Sequence, residues 1–158
     1  MIVLSKREAT AWCRQSGISL NEHDLPGRSA APNRFDIPSD AGKRVYLISK
    51  LLKPFENEPA VLVWFDEWGV WPSGERIHIF NRFRSSYGET RPLIKAPGHL
   101  FGHGEFEDAV SYATLGVLFL WDRYVLTPGA DKFVFFSHDE FGGTNAVEGT
   151  DTENLARH

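Results

Sequence analysis

Residues 60–65 (AVLVWF) constrain this chain more than any other stretch. They are apolar at both parities of a β-strand, so such a strand needs cover on both faces and belongs inside a sheet between two layers. Helices are the available cover. Residues 6–16 predict the first, because Ser5 with Glu8 makes a capping box, Gly17 stops the run, and Ala9, Trp12 and Cys13 form its apolar side. A second runs from Ser39 or Asp40 to about Lys53, with Val45, Ile48, Leu51 and Leu52 at helical spacing and Pro54 beyond its end.

Further along, Ser73 is placed to cap a third helix over residues 74–87, with Ile79, Phe80, Phe83 and Tyr87 as its stripe and Gly88 as its stop. Residues 76–79 also alternate like a strand. A fourth helix is expected over 105–120, apolar on nearly every side in its second half and therefore buried. Residues 92–96 read as a short strand and 97–104 (PGHLFGHG) as a glycine-rich loop. Residues 121–127 and 132–141 then read as two strands joined across Pro128 and Gly129. Residues 18–39, with Pro26, Pro32 and Pro38, form a long irregular connection. The fold class that follows is α/β or α+β, a layered sandwich of about four mixed strands with packed helices and a C-terminal β-hairpin. Residues 1–141 are expected to be one globular domain, and the polar segment 142–158 to fray.

Composition narrows the function classes. A net charge of -4 argues against general affinity for nucleic acid or anionic lipid. One cysteine, Cys13, excludes an internal disulfide framework and a cysteine zinc cluster. No run approaches the roughly 20 apolar residues of a membrane span, and the first residues lack a signal-peptide pattern, so a soluble cytoplasmic protein without a membrane partner is the expectation. Five tryptophans and twelve phenylalanines must fill a core or line a recognition surface.

Three groups of residues have chemical potential. Trp64, Asp66, Glu67, Trp68 and Trp71 lie at or after the carboxyl end of the central strand, where sheets gather ligands. Residues 54–72 hold four acids (Glu56, Glu58, Asp66, Glu67) and no basic residue, an acidic and aromatic patch that suits a basic partner. Second, His99, His103, His138 and Asp139 are candidate ligands for a divalent metal if their loops converge, although the glycines around His99 and His103 remove the helical His-x3-His warrant. Ser137, His138 and Asp139 make no hydrolase triad if they continue a regular strand, since alternation puts the histidine on the other face. Third, the region of the third helix is basic, with Arg76, Arg82, Arg84 and Arg91. His78 and Arg82 share its outer side as candidate binding residues, and self-association with the acidic patch is a corollary.

The run Asp66-Glu67-Trp68-Gly69-Val70-Trp71-Pro72-Ser73, then Pro97-Gly98-His99-Leu100-Phe101 and Ser137-His138-Asp139-Glu140, resembles a group of uncharacterised bacterial proteins sharing EWGxWPS, PGHLF and SHDE motifs. The resemblance spans roughly residues 55–141 and implies no reaction, cofactor or catalytic residue. The residues themselves favour a non-enzymatic interaction module without a cofactor, of an immunity type that neutralises a basic partner by covering it. The alternative is a metal-assisted hydrolase or small-molecule binder using His99, His103, His138 and Asp139. Nucleic-acid contact through the arginines is a weaker third.

Overall fold

The computed structural model describes residues 1–70 and 72–147. Seven strands form one sheet: β1 (Ile2–Leu4), β2 (Asn33–Asp36), β3 (Ala60–Glu67), β4 (Gly98–Gly102), β5 (Asp122–Leu126), β6 (Phe133–Phe136) and β7 (Phe141–Thr144). Their order is β1-β4-β3-β5-β6-β7-β2, and every neighbouring pair is antiparallel. Four α-helices lie among the described residues: α1 (Lys6–Gln15), α2 (Ala41–Leu52), α3 (Ile77–Ser85) and α4 (Phe106–Leu118). The class is α+β, and the expectation of about four mixed strands is corrected to seven antiparallel ones.

Residues 60–65 take the inner position their composition requires. β3 sits between β4 and β5, with Leu62 and Trp64 in one core cluster and Val61, Val63 and Phe65 in the other. The first cluster also takes Tyr124, Leu126, Phe133 and Phe135, and is covered by Ala9 and Cys13 of α1 with Ile18, Leu25 and Ala31 of the connection. The second takes Val125, Val134 and Phe136 under the buried residues of α2, α3 and α4. Both faces are therefore dry, and each large side chain removed from water there contributes about 1.5–3 kcal/mol.

The local signals hold at the starts of α1 and α2, whereas α3 begins at Ile77 with Arg76, not Ser73, at its N-cap position and no side-chain cap. Ser5 and Glu8 make both bonds of the capping box, and Gly17 leaves α1 at φ 73°. The Asp40 side chain accepts from the Lys43 backbone N–H at 2.8 Å to cap α2. A 3-10 turn, Ser73–Arg76, leads into α3, so residues 76–79 are helical rather than extended, and Ile79 faces solvent instead of the core.

Strands account for the differences. Residues 92–96 form a turn, with Lys95 donating to the Pro92 carbonyl, and the glycine-rich stretch after them is β4. A Cβ at Gly98 would lie 3.1 Å from the Cβ atoms of both Ala9 and Leu4, so this glycine admits α1 and β1 rather than marking a loop. Likewise Gly142, placed in a fraying tail by its composition, belongs to β7. The Phe35 ring lies across it, and a Cβ there would come within 2.3 Å of that ring. Residues 148–158 of the expected tail lie outside the described residues. No helix among the described residues is long and apolar enough to cross a membrane.

Candidate functional site

The carboxyl end of β3, the start of β5 and the end of β6 lie side by side, because Trp64 pairs with Tyr124, Glu67 with Asp122, and Arg123 with Phe136. The β3–β5 register shifts between Phe65 and Glu67, so Asp66 stands at a bulge, a device that re-aims a side chain at a sheet end. β6 stops at Phe136, and residues 137–140 turn back, with Ser137 N–H on the Phe141 carbonyl and Glu140 at φ 62°. The regular strand expected through His138 is thus corrected to a turn.

That turn delivers His138 to Asp122. The Asp122 Oδ1 accepts the His138 backbone N–H at 2.5 Å and faces its Nδ1 at 2.7 Å. A carboxylate can only accept, so Nδ1 carries a proton toward Asp122, and Nε2 lies 3.5 Å from Asp139 Oδ1. Asp122 has a side chain 8% exposed, whereas the His138 side chain is 31% exposed. The other carboxylate oxygen accepts from Arg28 Nη2 at 3.3 Å, and the Arg28 guanidinium also lies 4.9 Å from the Phe135 ring centroid.

Two more ionisable groups border this pair. Burial raises the Asp66 carboxyl above its usual range, helped by repulsion from Asp122 and opposed by the charges of Lys6 and Arg28. Burial also pushes the Tyr124 phenol up, with Arg28 partly offsetting it. The result is a half-buried polar site from four segments: Asp66 on β3, Asp122 and Tyr124 on β5, His138 in the β6–β7 turn, and Arg28 from the long connection. An oriented imidazole, a cation and a carboxyl whose pKa burial raises can bind a polar molecule and move a proton to or from it.

The expected residues fall out unevenly. Trp64, placed on a binding surface by the sequence, is 1% exposed in the α1-side core, because alternation along β3 turns it inward. Trp68 packs partly on the other core, Glu67 is exposed, and Trp71 lies outside the described residues. The single acidic patch is not formed. Glu56 and Glu58 precede β3 and pair with Lys53 and Lys132, while Asp66 and Glu67 sit at its far end, about 25 Å away for a strand of this length.

The four proposed metal ligands are not brought together. His99 is fully buried on the opposite face of the sheet from Trp64, ringed by Phe65, Phe80 and Tyr112, and its Nε2 accepts Arg84 Nε–H at 3.0 Å. Burial, with the Arg84 charge, holds its pKa down to about 3, so the ring is neutral. His103 is exposed beyond Gly102, which pairs with Ala60 at the other end of β3. Only His138 and Asp139 are neighbours, and among the described residues no group of three or more His, Cys, Asp or Glu side chains could hold a metal ion.

His78 and Arg82 are exposed on α3 as expected, but Arg84 is buried and Arg91 is held by Glu89 at 2.6 Å, which removes half of the arginine surface considered for nucleic acid. Sequence reasoning missed Asp122, Tyr124 and Arg28. The available signal was Asp122 and Arg123 opening an otherwise apolar strand. Arg123 itself is a separate matter: it is buried over the Phe136 ring at 4.1 Å, its Nη1 donates to the Trp121 carbonyl, and its Nε and Nη2 meet no acceptor. No family model, curated protein or solved structure matches the chain.

Proposed function

We propose that the protein binds a polar small molecule at the Asp66–Asp122–His138 end of the sheet and exchanges a proton with it through His138 Nε2. One observation supports this reading above the others: a nearly buried carboxylate holds the same histidine by both its backbone N–H and its Nδ1. A histidine used only for packing needs no such orienter, and a carboxylate used only for charge balance needs no more than Arg28. In this reading Asp122 fixes tautomer and direction, Arg28 offers a cation to the ligand, and Asp66 is the second proton-exchanging group. No cofactor is called for.

The test is a thermal-shift and NMR screen of polar metabolites against the parent protein, with His138→Gln and Asp122→Asn as controls. Stabilising compounds that move the His138 ring signals and lose their effect in both variants are the expected result. Compounds that bind equally well to both variants would overturn the reading.

A second reading keeps the place and changes the occupant. Asp139 and Glu140 have side chains 70% and 51% exposed in the β6–β7 turn, and Glu67 is exposed at the same end of the sheet. These carboxylates suit a basic protein surface, on which the chain would act as a non-enzymatic, immunity-type module. Binding of a basic protein that survives His138→Gln but weakens with Asp139→Lys would favour it.

A further inference from the structure

On the α1 side of the sheet lies a groove of ≈ 470 Å³ lined by Lys6, Arg7, Thr10, Ala11, Arg14 and Asp24. It joins one face of α1 to the connection that follows the helix. Three cations face one carboxylate there, in a chain whose net charge is -4. The placement along α1 is regular: Lys6, Thr10 and Arg14 stand four apart on one row, which spans roughly 12 Å at the helical rise. Asp24 reaches across to Arg14 at 2.6 Å from a backbone with φ 60°, a conformation that side chains other than glycine rarely adopt. Both partners of that pair are more than half exposed, so opening it for a ligand costs little.

The groove is continuous in charge with the site described above. Lys6 lines the groove, and its charge also acts on Asp66, as does that of Arg28, the cation bound to Asp122. Lys6 is thus the groove cation that acts on the site at the end of β3. The volume is that of a small-molecule site, and the spread of the cations fits more than one anionic group. Arginine forks pair bidentately with carboxylate and phosphate alike, and a phosphate group brings more acceptor oxygens and more charge to the three cations.

We infer that this groove binds the phosphate groups of a phosphorylated small molecule, on Lys6, Arg7 and Arg14. That the rest of the ligand reaches His138 rests on the function proposed above; the phosphate site does not. The probe is inorganic pyrophosphate, titrated into isotopically labelled protein at low salt and followed by NMR, with citrate as the carboxylate comparison. The expected result is saturable binding with shifts centred on residues 6–14, weakened about tenfold or more in a Lys6→Gln, Arg7→Gln double variant and unchanged in His138→Gln.

Both substituted groove residues are exposed, so the variant keeps its fold. Absence of saturation, shifts centred elsewhere, an affinity unchanged in the double variant, or citrate binding as tightly as pyrophosphate would each overturn the phosphate site. If pyrophosphate behaves as expected while the screened compounds ignore His138, the groove stands and the acid–base reading fails.

Discussion

Two helical glycines give a sharp test of the packing, because the same substitution should act in opposite directions at each. Gly116 lies inside α4, where an alanine Cβ would come 2.6 Å from Arg123 Cδ and 2.8 Å from Phe65 Cε1. Ordinary contact begins at 3.4 Å, so the two neighbours must retreat by about 0.8 and 0.6 Å. Both are fully buried, in a layer already filled by Phe80, Phe136 and Trp121. Overpacking against two buried side chains costs about 2–3 kcal/mol, against about 1 kcal/mol gained from helix propensity, so Gly116→Ala should lose about 1–2 kcal/mol. Gly42, in the first turn of α2, is exposed and meets only Asp40 Oδ1 at 3.2 Å, so that exposed capping carboxylate must give by about 0.2 Å while keeping the Lys43 N–H. There the propensity gain should win by about 0.5 kcal/mol. Urea denaturation followed by tryptophan fluorescence measures both, with the m-value as a check that the unfolding transition is unchanged. A Gly116→Ala protein as stable as the parent would mean that α4 does not press on Arg123 as described. The reasoning also fails if both variants shift the same way.

Three other expectations follow from buried groups. Asp122→Asn replaces a carboxylate that serves both His138 and Arg28, and should cost about 1–3 kcal/mol while freeing the His138 ring from a single tautomer; an unchanged melting curve with unchanged ring nitrogen shifts would contradict the site geometry. His99 has its pKa lowered from 6.5 to about 3, so between those values the unfolded chain takes up a proton that the folded chain refuses. Stability should therefore rise with pH across that window, by up to about 1.4 kcal/mol per unit from this one group, and imidazole nitrogen shifts at pH 5 should report a neutral His99. A protonated ring at that pH would refute it. Cys13 is buried under α1 and its thiol is pushed up to about 12 by burial, so thiol reagents should label it only as fast as the protein opens; stoichiometric labelling within seconds would show an open α1.

What could be read from the sequence was what is decided locally. The Ser5–Glu8 box, the Asp40 cap and the doubly apolar run at 60–65 each specify their structure within a few residues, and each stands where it was expected. β1 and β2 are three and four residues long, too short to carry a pattern, and become strands only through partners roughly a hundred residues away. Gly98, Gly142 and Gly143 suggested loops because glycine usually signals backbone freedom, whereas here it signals crowding by Ala9, Leu4, Phe35 and Phe135. The site was legible in part for the same reason. His138, Asp66 and Asp139 were singled out, but the partner that gives His138 its direction is Asp122, brought to it by strand pairing across a hairpin. Trp64 was misplaced because the doubly buried strand hides which side each residue takes.

The strand order carries one more consequence, for assembly. The five inner strands all come from residues 60–144, while both outer strands come from residues 2–36. The stretch made before the inner strands on the ribosome therefore closes both margins of the sheet, and it finds its places only after the far end of the sheet exists: Ile2 waits for Leu100, and Asn33 for Thr144. Such distant pairings make folding slow, and in the interval β4 and β7 present unpaired edges. The N-terminal segment thus works as a clasp over a sheet that would otherwise recruit strands from its neighbours. That duty constrains residues 2–36 independently of any ligand.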